Sequence, residues 1–322
     1  MQSRFTRVVV LVAGLSLAAG ACGRYSISNI RSLKAFQSGT DAYKRGDYPL
    51  AATRYQEAID HNPDYGFAYF FLGNCYDNLF KPGRKGEAEN DAYLTKAAEN
   101  YRKAIEKLAT ATETQAPMIR KRSYEYLIAA YGSDKMDDFS KAEPLALELI
   151  SIDPNEAGNY SALSRLYEDQ GRYEEAEAIL KRLTAQKPSD PLGYQFLAGF
   201  YARQGDFTKT MESWQARANA EPNNPEAWHA IASFYFDEIT KNTRLAPAVA
   251  RGYALTGLQA SDKALALNPD YFEAVIFKSL LLRAQANKEK EPAVQKTLIA
   301  EADVLRKRAE ELQKKQAAAP AP

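Results

Sequence analysis

The chain of 322 residues carries 42 lysines and arginines against 41 aspartates and glutamates, so it lacks the broad basic footprint of a nucleic-acid binder and no nucleic-acid partner is expected. Two cysteines, Cys22 and Cys75, and two histidines, His61 and His229, are too few for a disulfide framework or for the usual three- or four-ligand metal site, and no cofactor is expected. The length is more than one compact core commonly organises, which favours an array whose elements touch only their neighbours.

Met1 to Ala21 opens with Arg4 and Arg7, continues with an apolar run from Val8 to Leu17, and ends on Ala18-Ala19-Gly20-Ala21. A basic start, a short apolar stretch and small residues at its end mark a secretory signal peptide. The run is shorter than the roughly 20 residues that span a hydrocarbon core, which argues against a transmembrane helix. Ala19-Gly20-Ala21-Cys22 resembles a bacterial lipobox, with Ala19 where leucine is commonest. The resemblance implies removal of the leader and acylation of Cys22, hence a membrane contact through that residue. Ala19-Gly20-Ala21 equally satisfies an ordinary A-x-A cleavage, which would leave a soluble periplasmic protein. Gly23 replaces the aspartate that in lipoproteins often specifies retention at an inner membrane, so the implied address is the cell envelope, at an outer membrane facing the periplasm. Residues 22–29 form a short tether.

From about residue 30 the apolar residues follow a helical period. A first unit shows Ala35, Gly39, Gly46-Asp47-Tyr48, Ala51, Tyr55, Ala58 and Pro63. A second opens with Tyr69, Leu72, Gly73 and Tyr76, then carries an insertion near 80–96 before Ala97, Tyr101 and Ala104. Within that insertion Lys81-Pro82-Gly83-Arg84-Lys85-Gly86 does not match G-x-x-x-x-G-K-[ST], and no strand precedes it, so it reads as a solvated loop. The connection from Ile105 to Arg122 reads as a helix overhang or a mobile loop. A third unit, Tyr124 to Pro154, keeps Leu127, Tyr131, Phe139 and Ala142, with Pro144 expected in the first turn of its second helix, where proline is tolerated.

Between Ala157 and Pro222 the chain repeats itself at an interval of 34 residues. Tyr160, Leu163, Ser164, Tyr167, Gly171, Tyr173 and Pro188 recur as Tyr194, Leu197, Ala198, Tyr201, Gly205, Phe207 and Pro222. Each copy has an apolar set at i, i+3, i+4 and i+7, a glycine break and a second set such as Tyr173, Ala176, Leu180 and Leu183, which predicts two antiparallel helices. Proline ends the second helix by removing a backbone donor, and Asp190-Pro191 and Asn224-Pro225 supply an N-cap and a first-turn proline for the next. A period of this length built from helix pairs, with these aromatic, leucine, small and tyrosine landmarks, closely resembles the tetratricopeptide repeat. The resemblance implies an all-α, right-handed superhelical solenoid of antiparallel helix pairs whose first helices line a concave groove.

The sixth unit begins at Trp228, Ile231, Ala232 and Tyr235 and ends at Asn268-Pro269, with an insertion near 239–251. The two insertions either build one extra wall or lengthen their own helix pairs. A seventh first helix, from Tyr271 to about Gln285, precedes a long last helix over 291–316, where Val294, Leu298, Ala302, Leu305, Ala309 and Leu312 form a seam about one helix wide. That seam most simply caps the open end of the array; a coiled-coil dimer is the alternative. Residues 30–290 are thus an array of about seven units, and 317–322 a tail expected to be disordered.

No H-E-x-x-H, G-x-S-x-G or G-x-G-x-x-G is present, and the chain reads as noncatalytic. Cys75 reads as a small buried hydrophobe. The repeat resemblance places Phe36, Tyr43, Phe70, Asn74, Arg165, Gln195, His229 and Phe236 at groove-facing positions, which implies a scaffold holding a protein or peptide segment there. Phe36 and Thr40 stand where the carboxylate-clamp members of the family have lysine and asparagine, which counts against recognition of a peptide C-terminus. A carrier of a small molecule or lipid in the solenoid lumen, and an envelope enzyme, are the other readings.

Overall fold

The computed structural model describes residues 26–318, and among these it holds fourteen α-helices and no strand. The chain divides into two compact units, one ending at Arg172 and the other beginning at Tyr173. The first contains α1 (Ile27–Lys44), α2 (Tyr48–His61), α3 (Gly66–Leu79), α4 (Ala88–Leu108), α5 (Ala116–Ala130), α6 (Phe139–Ile152) and α7 (Ala157–Asp169). The second contains α8 (Tyr173–Gln186), α9 (Pro191–Arg203), α10 (Phe207–Ala220), α11 (Pro225–Lys241), α12 (Pro247–Leu267), α13 (Phe272–Ala286) and α14 (Pro292–Ala318). In each unit every helix packs on the next, and in addition α3 packs on α5 and α11 on α13. The first helices of successive pairs therefore line one face together.

In the pairs α1–α2, α5–α6 and α9–α10 the turn follows from two residues. Gly46 and Gly205 take φ of 78° and 73°, where a side chain would meet the following carbonyl. The next residue caps the second helix: Asp47 accepts from the backbone N–H of Leu50, and Asp206 from that of Lys209. Between α5 and α6 an aspartate takes the glycine's place, Asp137 at φ 53°, and Asp138 caps from the N–H of Lys141. The link between pairs is equally local. Tyr160 and Tyr194 each donate a hydroxyl, and Trp228 its indole N–H, to the carbonyl of the proline six residues upstream, at 3.1, 3.1 and 3.0 Å. This one bond ties the aromatic landmark of a first helix to the proline that ends the preceding pair.

Close approach within a pair rests on glycine. A Cβ on Gly39 would lie 2.9 Å from the ring of Tyr55, and one on Gly73 2.8 Å from the ring of Tyr101. Both tyrosines are fully buried. Alanines such as Ala42, Ala51, Ala58, Ala97, Ala104 and Ala142 fill the rest of this first core, so helix separation is set by small residues and space is filled by tyrosine. In the second unit the core gathers Trp214, Trp228, Ile231 and Leu281 around Ala198, Ala227, Ala232 and Ala254.

Several boundaries differ from the sequence expectation. The first helix begins at Ile27, inside the expected tether. The insertion near 80–96 is loop only to Glu87, with one 3-10 turn at Pro82–Arg84, after which α4 runs for 21 residues. The insertion near 239–251 is likewise divided among the end of α11, a loop over 242–246 and the first turns of α12, itself 21 residues long. Both insertions therefore lengthen their own helix pairs. The stretch before Tyr124 is helix overhang: α5 starts at Ala116, with Pro117 in its first turn. Pro144 lies in the second turn of α6, not the first, and removes the hydrogen bond to the Ser140 carbonyl; both residues are exposed, so water can meet the freed carbonyl.

The last helix continues to Ala318, two residues into the expected tail. Its seam is used within the unit, since Ala309, Leu312 and Leu305 pack with Val275, Ile276 and Phe272 of α13. Ser279 on α13 also donates to the Ala302 carbonyl at 2.8 Å. The leader over residues 1–21, Cys22 and residues 319–322 lie outside the described residues. Among the described residues no helix is long and apolar enough to cross a membrane.

Candidate functional site

The groove positions named from the sequence divide between the two units. In the first, Phe36 and Tyr43 on α1 are half-buried, Phe70 and Asn74 on α3 are buried, and Arg165 on α7 is exposed. In the second, Gln195 on α9 is exposed, while His229 and Phe236 on α11 are half-buried.

Phe70 and Asn74 must be corrected. Phe70 sets its ring against Phe71, Tyr101 and Tyr126 at 5.2, 6.1 and 5.7 Å, and Asn74 turns its amide back onto the Phe70 carbonyl at 3.1 Å. Neither is available to a ligand. The cause is a rule that holds in both units. Phe36, Phe70 and His229 each follow the first landmark of their helix, and each meets a ring of the next first helix: Phe71 at 5.6 Å, Tyr126 at 5.7 Å and Phe277 at 4.9 Å. The position is a contact between neighbouring pairs as much as a groove position.

His229 also meets Tyr271 edge-on at 5.6 Å, and its Nδ1 is buried with no hydrogen-bond partner among the described residues. Burial lowers its pKa from the ordinary value, while Glu273 and Glu226 oppose this. The unfolded chain therefore takes up this proton first as the pH falls below about 6.5. Stability from the neutral imidazole is complete above that pH and declines as the pH drops toward the folded value. His229→Phe should flatten this decline when urea midpoints are compared at pH 7.5 and pH 5; an unchanged slope in the variant would remove His229 as its source.

One open groove of the first unit, of about 580 Å³, is lined by Leu33, Phe36 and Thr40 of α1, Tyr65, Phe67 and Phe71 at the start of α3, Glu113, Thr114 and Gln115 from the α4–α5 connection, and Ile119 in the first turn of α5. Phe36 meets Tyr65 and Phe71 edge-on, and Phe71 stacks on Tyr55 at 5.6 Å, so the buried Tyr55 ring helps fix the half-buried ones in place. The Tyr55 hydroxyl donates to Thr40 at 3.2 Å, and Thr40 donates to the Phe36 carbonyl. Burial, with a contribution from the Glu113 carboxylate, pushes the Tyr65 phenol up to about 12, so it stays a neutral donor. Glu113 is the one charged residue of the lining. Of the residues named from sequence Phe36 and Thr40 line this groove. Phe67 and Phe71 stand three residues before and one after the Phe70 singled out, and Glu113 comes from the connection read as an overhang or loop.

No set of three or more His, Cys, Asp or Glu placed to hold a metal occurs among the described residues. Cys75 is fully buried, and burial pushes its thiol up to about 12, far from a reactive thiolate.

Residues 36–100 and 135–200 match models of the tetratricopeptide repeat family, so repeats of this kind are found in both units. Such repeats generally serve as noncatalytic scaffolds for protein or peptide partners. Among solved structures the chain resembles the C-terminal part of a TPR repeat-containing protein from Cytophaga hutchinsonii. That likeness has 14% identity and a TM-score of 0.51, over 86% of this chain and 98% of that one. A tetratricopeptide repeat protein from Parabacteroides merdae matches at 13% identity over 85% and 99% of the two chains, TM-score 0.42. YrrB, described as a TPR protein with an unusual peptide-binding site, matches at 16% identity over 61% and 89%, TM-score 0.38. No curated protein sequence matches the chain.

Proposed function

We propose that this chain is a noncatalytic scaffold of the bacterial cell envelope that holds an extended protein or peptide segment in the groove of its first unit. The observation that carries the reading is the set of rings, Phe36, Tyr65, Phe67 and Phe71, left half-buried at the groove and backed by fully buried Tyr55. Rings held rigid by packing but open on one side gain by covering an apolar side chain, and the volume suits one or two such side chains. Glu113 at the rim favours a lysine or arginine beside that anchor. The groove is open to solvent, which supports a passing chain over an enclosed small molecule or lipid.

Binding to an array of peptides with phenylalanine flanked by lysine or by glutamate tests this. Phe67→Ala should lose about 2 kcal/mol, roughly thirtyfold in affinity. Glu113→Gln should weaken lysine-flanked peptides selectively. Unchanged binding in both variants would remove the groove as the site.

The envelope address rests on the leader and on Cys22, as an acylated outer-membrane attachment facing the periplasm. Cys22→Ser should move the protein from the membrane to the soluble fraction with its helical content unchanged. A serine variant that stays with the membrane counts against the anchor.

A further inference from the structure

The first two turns of α1 carry an apolar edge that nothing among the described residues covers. Ile27 is 70% exposed, Ile30 56% and Leu33 49%. Core packing does not explain them, since α1 turns Ser32, Gly39 and Ala42 inward. Further along the helix the exposed positions are Lys34, Gln37, Ser38, Asp41 and Lys44, so the apolar edge is confined to the end nearest Cys22. The first turn holds no acidic residue, and Arg31 and Lys34 are exposed beside the edge.

We infer that Ile27 and Ile30, with Leu33 at their border, dock on the surface of an anionic lipid bilayer and seat the first unit on it. The inference rests on the proposed acylation of Cys22 and specifies what the protein does once attached. Five residues of chain from Cys22 to Ile27 reach at most about 18 Å when fully extended, so an acylated Cys22 keeps this end of α1 close to the headgroups. At that distance two isoleucines have a nearby apolar phase to enter, and Arg31 and Lys34 have anionic headgroups to meet. An edge that served a second copy of this chain would not need to be limited to the turns beside the tether. Docking here would also bring the border of the aromatic groove, at Leu33, to the membrane side, so that a bound segment enters from the opposite end.

The test uses the full-length acylated protein in vesicles of phosphatidylethanolamine and phosphatidylglycerol at three to one, with single cysteines introduced as Ile30→Cys and Gln37→Cys and labelled with an environment-sensitive dye. Cys75 is buried and stays unlabelled in the folded protein. The dye at residue 30 should be quenched by brominated lipid and shielded from aqueous iodide by about fivefold or more relative to the dye at residue 37, and Arg31→Glu with Lys34→Glu should reduce that shielding. Equal iodide access at both positions, in protein that carries acyl mass and floats with the vesicles, overturns the docking while leaving the anchor intact. Shielding of residue 30 that persists without vesicles assigns the edge to a second copy and also overturns it. Absence of acyl mass on protein from the native host removes the anchor and the docking together, since the short tether is what holds α1 at the bilayer.

Discussion

Replacing Phe70 by alanine is expected to destabilise the first unit by about 3–5 kcal/mol, the range for a large aromatic truncated in a packed interior. Phe70 is 4% exposed and its ring meets three others, from α3, α4 and α5, so the cavity would open where three helices converge. Nearby rings are themselves held by buried neighbours and have little freedom to collapse into it. Phe67, half-buried on the open side of the same helix, should cost far less stability when truncated while costing affinity. Urea unfolding followed by circular dichroism separates the two. A loss below about 1 kcal/mol for Phe70→Ala, together with lost peptide binding, would return Phe70 to the groove.

Gly73→Ala should destabilise in spite of better helix propensity. Alanine in a helix interior gains about 1 kcal/mol over glycine. Against that, the new methyl would lie 2.8 Å from two ring atoms of Tyr101 and 3.3 Å from the Ala97 carbonyl oxygen. Tyr101 is fully buried, so its ring cannot swing aside, and α3 and α4 must separate. Such overpacking costs typically 1–3 kcal/mol, and the net result should be a loss. Gly252→Ala, inside α12, is the matched control, since nothing lies within 4 Å of its added methyl. A melting temperature for Gly73→Ala at or above that of the parent would show that the two helices have room the ring contact denies.

The parts of this protein legible in its sequence are those governed by neighbours a few residues away. Gly46-Asp47 and Gly205-Asp206 announce a left-handed turn and a cap within two residues, and Pro154, Pro188 and Pro222 close a helix pair and accept the bond from the aromatic six residues on. Repeated at a near-constant period, these local rules mark the helix pairs before any contact between pairs is considered. The insertions were located but not resolved: whether residues 80–96 make a wall or a longer helix depends on what α4 can pack against, and the structure lengthens the helix.

The site was only partly legible, because a first helix presents similar residues to the groove and to the next pair. Phe36, Phe70 and His229 occupy the same place in their units, and each meets a ring 35, 56 or 48 residues further along the chain: Phe71, Tyr126 and Phe277. Which ring closes over its neighbour and which stays open is set by how adjacent pairs pack, and side-chain periodicity carries no term for that. The helix pairs, their turns and their small-residue contacts can be read along the chain, since those follow from backbone sterics and close approach within one unit. That Phe70 and Asn74 are core, and that Phe36, Tyr65, Phe67, Phe71 and Glu113 share one open groove, cannot be read there, since it depends on α1, α3 and the α4–α5 connection meeting in space.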